Sequence, residues 1–140
     1  VVLYEGAIVG YTIGNDVSSR AIEGANPLYL PQAKVYDRCC AIGPAVTTAA
    51  SLDASDLEMS MQILRDGEQL YADRTSTAEL HRTIDELVSY TIQSDAVPEL
   101  MVLLTGTSLV PEEGFTLRPG DTVRITIEGI GTLENGVIEV

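Results

Sequence analysis

At 140 residues and 15.0 kDa the chain is the size of one domain, long enough to take roughly two thirds of its unfolded surface out of water. With 45% hydrophobic and 21% charged residues, intrinsic disorder is excluded for the chain as a whole. Twenty-one acids against eight bases leave a net charge of −13, which repels nucleic acid and anionic lipid and excludes phosphate-backbone or membrane-surface binding.

Val1-Val2-Leu3 reads as a strand already in progress, and with Val rather than Met first a missing N-terminal portion is expected. Residues 7–13 read as a buried strand closed by the turn-prone Gly14-Asn15. Gly24 to Gln32 carries Pro27 and Pro31, which lack donors, and is expected to be an ordered loop rather than helix or central strand. Residues 57–65 alternate Leu57, Met59, Met61 and Ile63 with polar side chains. Asp66-Gly67 then turns the chain into Gln69 to Arg74, a hairpin with a two-residue primed turn.

The period changes at residues 77–92, where Leu80, Ile84, Leu87, Val88 and Ile92 fall on one helical face and Ser76 with Glu79 forms a capping box, predicting the one long helix. Met101 to Leu104 is apolar and ends in Thr105-Gly106-Thr107. Pro119-Gly120-Asp121 precedes a strand carrying Val123, Ile125 and Ile127. Gly129 and Gly131 predict a bulge or sharp bend, and Asn135-Gly136 a reversal into Val137 to Val140. About seven strands and one main helix predict a single domain over residues 1–140 of the α+β class, mostly β.

The densest polar group beside backbone breakers is Gly14-Asn15-Asp16-Val17-Ser18-Ser19-Arg20. It offers a carboxylate, hydroxyls and a guanidinium that suit a hard cation or an anionic substrate. Equally, Asp16 or Ser18 caps a short helix beginning at Ser19. Lys34 is the only lysine beside seven arginines, which fits a place where a compact ammonium is required, or a single retained surface lysine. Thr105-Gly106-Thr107 lets backbone and hydroxyls approach a ligand closely, or simply ends a strand.

His81 reads as a surface helix residue. One His and two adjacent cysteines, Cys39 and Cys40, lack zinc spacing and form no disulfide framework. The pair reads as strand residues in a reducing compartment. Gly-x-Ser-x-Gly and Gly-x-Gly-x-x-Gly are both missing, against a triad hydrolase of that type and against nucleotide cofactors. With charge-free stretches of about a dozen residues, short of the roughly 20 of a membrane helix, and with neither signal peptide nor lipidation motif, a soluble cytoplasmic protein is expected. Its acidity serves solubility or high salt.

Three stretches together resemble the catalytic, C-terminal domain of the fumarylacetoacetate hydrolase family. They are Gly10 to Arg20, Lys34 to Pro44, and Leu104-Thr105-Gly106-Thr107 with Pro119-Gly120-Asp121 and Gly129-Ile130-Gly131. Within it, Ile22 to Lys34 is similar to the branch that dehydrates 2-keto-3-deoxy sugar acids such as arabinonate and pentonate derivatives. The resemblance implies a mixed β-sheet roll and a homodimer. It also implies a divalent ion (Mg2+, or Mn2+ or Ca2+) held by Asp16 and by a Glu-x-Glu pair that would fall upstream of Val1; Glu5, in an expected hairpin turn, is not such a ligand.

It further implies that Lys34 is catalytic, neutralising an enolate oxygen or acting near C3. Arg20 and Thr107 would grip substrate oxygens, with Gln32 and Ser19 beside them. The expected function is therefore a metal-dependent dehydratase that acts on a small 2-keto acid through a metal-stabilised enolate. Two alternatives stay open. One is a hydrolase, decarboxylase or isomerase of the same family acting on acylpyruvate-like or hydroxydienoate substrates. The other is a non-catalytic fragment that packs against a partner.

Overall fold

A computed structural model describes residues 1–93 and 97–140. The chain begins with strand β1 (Val2–Tyr4) and turns at Glu5-Gly6 into β2 (Ala7–Asp16). Both turn residues have positive φ, 49° and 79°, the backbone of a primed two-residue turn, which follows the right-handed twist of the strands. β2 runs straight through Gly14-Asn15. The turn expected there is corrected by two tertiary contacts: Leu104 packs where a Gly14 side chain would stand, and the buried Asn15 amide donates to Asn135 Oδ1 at 3.1 Å.

The expected loop is also corrected, because residues 20–34 fold into a helical lobe. It comprises α1 (Arg20–Ala25), a 3-10 turn (Pro27–Tyr29) and α2 (Leu30–Lys34). Each proline sits in a first turn, where no intrahelical donor is needed. Asn26 caps the 3-10 turn by accepting from Leu28 N–H at 2.9 Å. β3 (Cys40–Thr48) then returns along β2.

β4 (Glu58–Arg65) and β5 (Glu68–Ser76) form the expected hairpin, with Asp66 and Gly67 at φ 51° and 82°. The long helix is corrected. Ser76 caps only a 3-10 turn (Thr77–Glu79), accepting from Ala78 N–H, and α3 begins at Ile84 and ends at Ile92. Thr77 is tied to Leu57 twice, through its backbone N–H (3.0 Å) and through its hydroxyl (2.8 Å). Those bonds hold residue 77 against the start of β4 and stop a helix from growing through it. The capping box is instead Thr83 with Glu86. His81 lies in the exposed bend before it, not on a helix.

β6 (Leu100–Val102), β7 (Thr122–Ile127) and β8 (Gly131–Gly136) complete the fold, β7 and β8 joined through Gly129 at φ 74°. The expected reversal at Asn135-Gly136 is corrected: both residues pair with β7, opposite Val123 and Thr122.

The sheets are β3-β2-β1-β6 and β5-β4-β7-β8, and every strand pair among the described residues is antiparallel. Met61, Ile63, Val123 and Leu109 make the core of the second sheet, with Phe115 and Leu117 from the connection before β7 packed on it. Leu3 and Ile13 are fully buried in the first. Thr47 Oγ1 donates to Gly129 O at 3.1 Å, a second tie between the sheets.

Gly10 is where β2 and β3 press hardest together. A Cβ there would stand 2.5 Å from Thr47 O and 2.7 Å from Val46 Cγ1. Since the nearer obstacle is backbone, Gly10→Ala is expected to destabilise the fold by about 2 kcal/mol, read as a lower urea midpoint. An unchanged midpoint would show that β3 yields freely.

The acidic surface supplies a further expectation. Repulsion among its carboxylates is screened as the Debye length shortens from about 10 Å at 0.1 M to about 3 Å at 1 M salt. With a net charge of −13, Tm should climb over that range of KCl. A flat Tm would mean that the fold does not feel its own charge.

Candidate active site

The last residue of β2 is Asp16, and the last of α2 is Lys34. The chain between them doubles back so that Lys34 Nζ donates to Asp16 Oδ2 at 3.1 Å. Alternation along β2 explains the direction of Asp16: Ile13 and Asn15 are buried, while Asp16 is exposed. Lys34 is directed by Ala33, which is fully buried, and by the Ser19 N–H donating to Ala33 O at 2.9 Å. Tyr36 fastens the far side, its hydroxyl donating to Val17 O at 2.6 Å. Burial, then Cys39 and Asp16, pushes the Tyr36 phenol above its ordinary value, so it stays a neutral donor.

Two residues that the resemblance gave no role also reach the ammonium. Ser18 Oγ lies 2.6 Å from Lys34 Nζ, and Glu23 Oε1 lies 3.9 Å away. The other Glu23 oxygen pairs with Arg20. Asp16, Ser18, Arg20, Glu23 and Lys34 thus form one cluster of alternating charge. A lone ammonium must find acceptors, and Glu23 is the only acidic residue between the two expected site residues; that was the available sequence clue.

Of the remaining expected residues, Ser19 precedes α1 without a side-chain capping bond, and the cap expected from Asp16 or Ser18 does not form. Gln32 is exposed on α2. Thr107 Oγ1 accepts from Leu109 N–H at 3.0 Å. Among the described residues no hydrogen bond joins Gln32 or Thr107 to the cluster. The contact of Leu104 with Gly14 does carry the start of the Thr107 segment across β2, two residues before Asp16.

Cys40 lies opposite Asp16 in the ladder, and Cys39 just precedes the strand; both are free. Burial, followed by Asp16 and Cys39, raises the Cys40 thiol, so it is a poor nucleophile.

A divalent metal needs several oxygen ligands. Among the described residues no group of three His, Cys, Asp or Glu side chains converges, and the one carboxylate that the expected site contributes is already paired with an ammonium. The residues present do not by themselves make the ion's site.

Residues 4–138 match the C-terminal domain of fumarylacetoacetate (FAA) hydrolase. The chain is 65% identical to a probable 2-keto-3-deoxyxylonate dehydratase of Haloferax volcanii, over 100% of this chain and 49% of the relative. It is 41% identical to the 2-dehydro-3-deoxy-D-arabinonate dehydratase of Saccharolobus solfataricus, over 91% of this chain and 43% of that protein. A solved 2-keto-3-deoxy-D-arabinonate dehydratase complexed with magnesium and 2,5-dioxopentanoate superposes with a TM-score of 0.93 at 39% identity, covering 97% of this chain and 49% of that one. The chain therefore spans about half the length of the curated relatives it matches. A match over residues 4–138, with two antiparallel sheets that superpose on a solved relative, makes this chain a member of the fumarylacetoacetate hydrolase family, corresponding to its C-terminal domain.

Proposed function

We propose that this domain belongs to a dehydratase of 2-keto-3-deoxy sugar acids, which removes a proton from C3 and hydroxide from C4 and releases them as water. The observation that carries the reading is the Lys34 ammonium held 3.1 Å from Asp16 at the end of β2, in a chain 65% identical to a probable dehydratase of this class. As the C3 proton departs, negative charge gathers on the 2-oxo oxygen. A preorganised ammonium beside that oxygen lowers the barrier because the charge is met by a donor already in place.

Lys34 is the residue proposed for this role. Arg20, whose side chain is 64% exposed, is free to leave Glu23 for the substrate carboxylate, which a guanidinium grips with two parallel bonds. Ser19, Gln32 and Thr107 are proposed to line the substrate, and Asp16 to be one ligand of a divalent ion completed by carboxylates outside this chain. A homodimer in the cytoplasm is part of the same proposal.

The test is direct. A protein of the relatives' full length carrying this domain, incubated with magnesium and 2-keto-3-deoxyarabinonate, is expected to form 2-oxoglutarate semialdehyde. Formation of none, together with cleavage of an acylpyruvate, would move the assignment to the hydrolytic branch of the family.

A further inference from the structure

We infer that Ser18 and Glu23 are positioning residues that hold the Lys34 ammonium in place; the inference rests on the dehydratase reading only for its kinetic consequence. An ammonium carries three N–H donors on a flexible four-carbon stem, so a single acceptor leaves it sweeping through many rotamers. Here two hydrogen-bond acceptors and one ion-pair carboxylate meet it from three successive segments. Asp16 Oδ2 at 3.1 Å belongs to the end of β2, Ser18 Oγ at 2.6 Å to the linker, and Glu23 Oε1 at 3.9 Å to α1. The Ser18 hydroxyl lies 3.4 Å from Asp16 O, the acceptor for its own proton, which leaves its lone pairs for Lys34.

Glu23 has a second task. Its Oε2 pairs with Arg20 while its Oε1 faces Lys34, so one carboxylate spaces two cations that would otherwise repel. Arg20 and Lys34 are thereby kept on one side of the strand end. Neither Ser18 nor Glu23 needs to touch a substrate for this; both act through Lys34. Because exposed ion pairs contribute little to stability, substitutions here should leave the chain folded.

Lys34 is the only lysine in the 140 residues, so a proton–nitrogen spectrum of the chain, labelled with 15N-lysine and selective for side-chain ammonium groups, contains one resonance. The wild-type chain is expected to show it sharp and slow to exchange with water. Ser18→Ala and Glu23→Gln should each speed that exchange by about tenfold or erase the signal. Ser18→Thr, which keeps the hydroxyl, should restore it, and Glu79→Gln, which removes an acid elsewhere, should leave it unchanged. A missing wild-type signal, or exchange unaltered in both Ser18→Ala and Glu23→Gln, overturns the inference.

In the full-length protein the same two substitutions are expected to lower kcat by about tenfold with KM nearly constant, and Ser18→Thr to recover it; wild-type kcat in both also overturns the inference. Failure of the wild-type protein to dehydrate refutes the functional assignment instead, and the spectrum then decides the positioning alone.

Discussion

Lys34→Met in the full-length protein is expected to cut turnover by about 10²–10⁴-fold while barely moving Tm. Methionine matches the stem in length and apolar character but brings no donor and no charge. The stability lost should be small, because Lys34 and Asp16 are each about a third exposed (35% and 36%) and such pairs contribute about 0–1 kcal/mol. Steady-state assays and thermal melts on the same preparations separate the two effects. Unchanged turnover would remove Lys34 from the chemistry. A large fall in Tm would make it a structural residue.

Asp121→Ala is expected to have the largest effect on stability, and by a different route. The Asp121 carboxylate is 1% exposed. It accepts two bonds from Arg65, at 2.7 and 2.8 Å, and one from Arg118 N–H at 2.8 Å, joining β4 to the turn before β7. Removing one partner of a buried pair costs about 3–5 kcal/mol, and the low end applies because the Arg65 left behind still reaches water. For a domain of this size that is a drop of about 10 °C in Tm.

The pH dependence has a definite sign. The hydrogen bonds from Arg65, ahead of the opposing effect of burial, hold the Asp121 carboxyl below its ordinary value. The stabilisation is therefore fully present above the unfolded value near about 4 and is lost as pH falls through the depressed folded value. The gap in Tm between wild type and Asp121→Ala should be constant near neutrality and close in acid. A gap that widened in acid would contradict the pairing.

What could be read from the sequence was whatever depends on local backbone chemistry. Asp66-Gly67 makes its turn because both residues take positive φ regardless of the rest of the fold. That Asp16 and Lys34 share a site was expected only from the family resemblance; the single lysine beside seven arginines drew attention to Lys34 but did not name its partner. Gly14-Asn15 and Asn135-Gly136 carry the same turn chemistry in their composition yet lie in strands. There Gly14 makes room for Leu104, and the two asparagine amides bond to each other between sheets. Those partners are distant in sequence, so no local rule finds them. The helical period over residues 77–92 was likewise real but cut by the bonds between Thr77 and Leu57. Glu23 was overlooked, and Ser18 was read only as one hydroxyl of a polar group or a helix cap, because their place beside Lys34 exists only after α1 and α2 fold back on the end of β2.

Where β2 meets β3 the register slips between Tyr11, opposite Thr47, and Ile13, opposite Gly43. Two steps along one strand thus match four along the other, and the Thr12 hydroxyl donates across the slack to Ala45 O at 2.8 Å. An even surplus preserves parity: Ala41, opposite the buried Asn15, keeps facing inward and Ile42 outward. Deleting one residue from 44–46 would exchange those two faces and wrench the short tether from Lys34 to Cys40 out of alignment with Asp16. Length variation at this kink is therefore tolerable only in pairs, so a chemically silent stretch of edge strand constrains how the Asp16 end of the sheet can evolve.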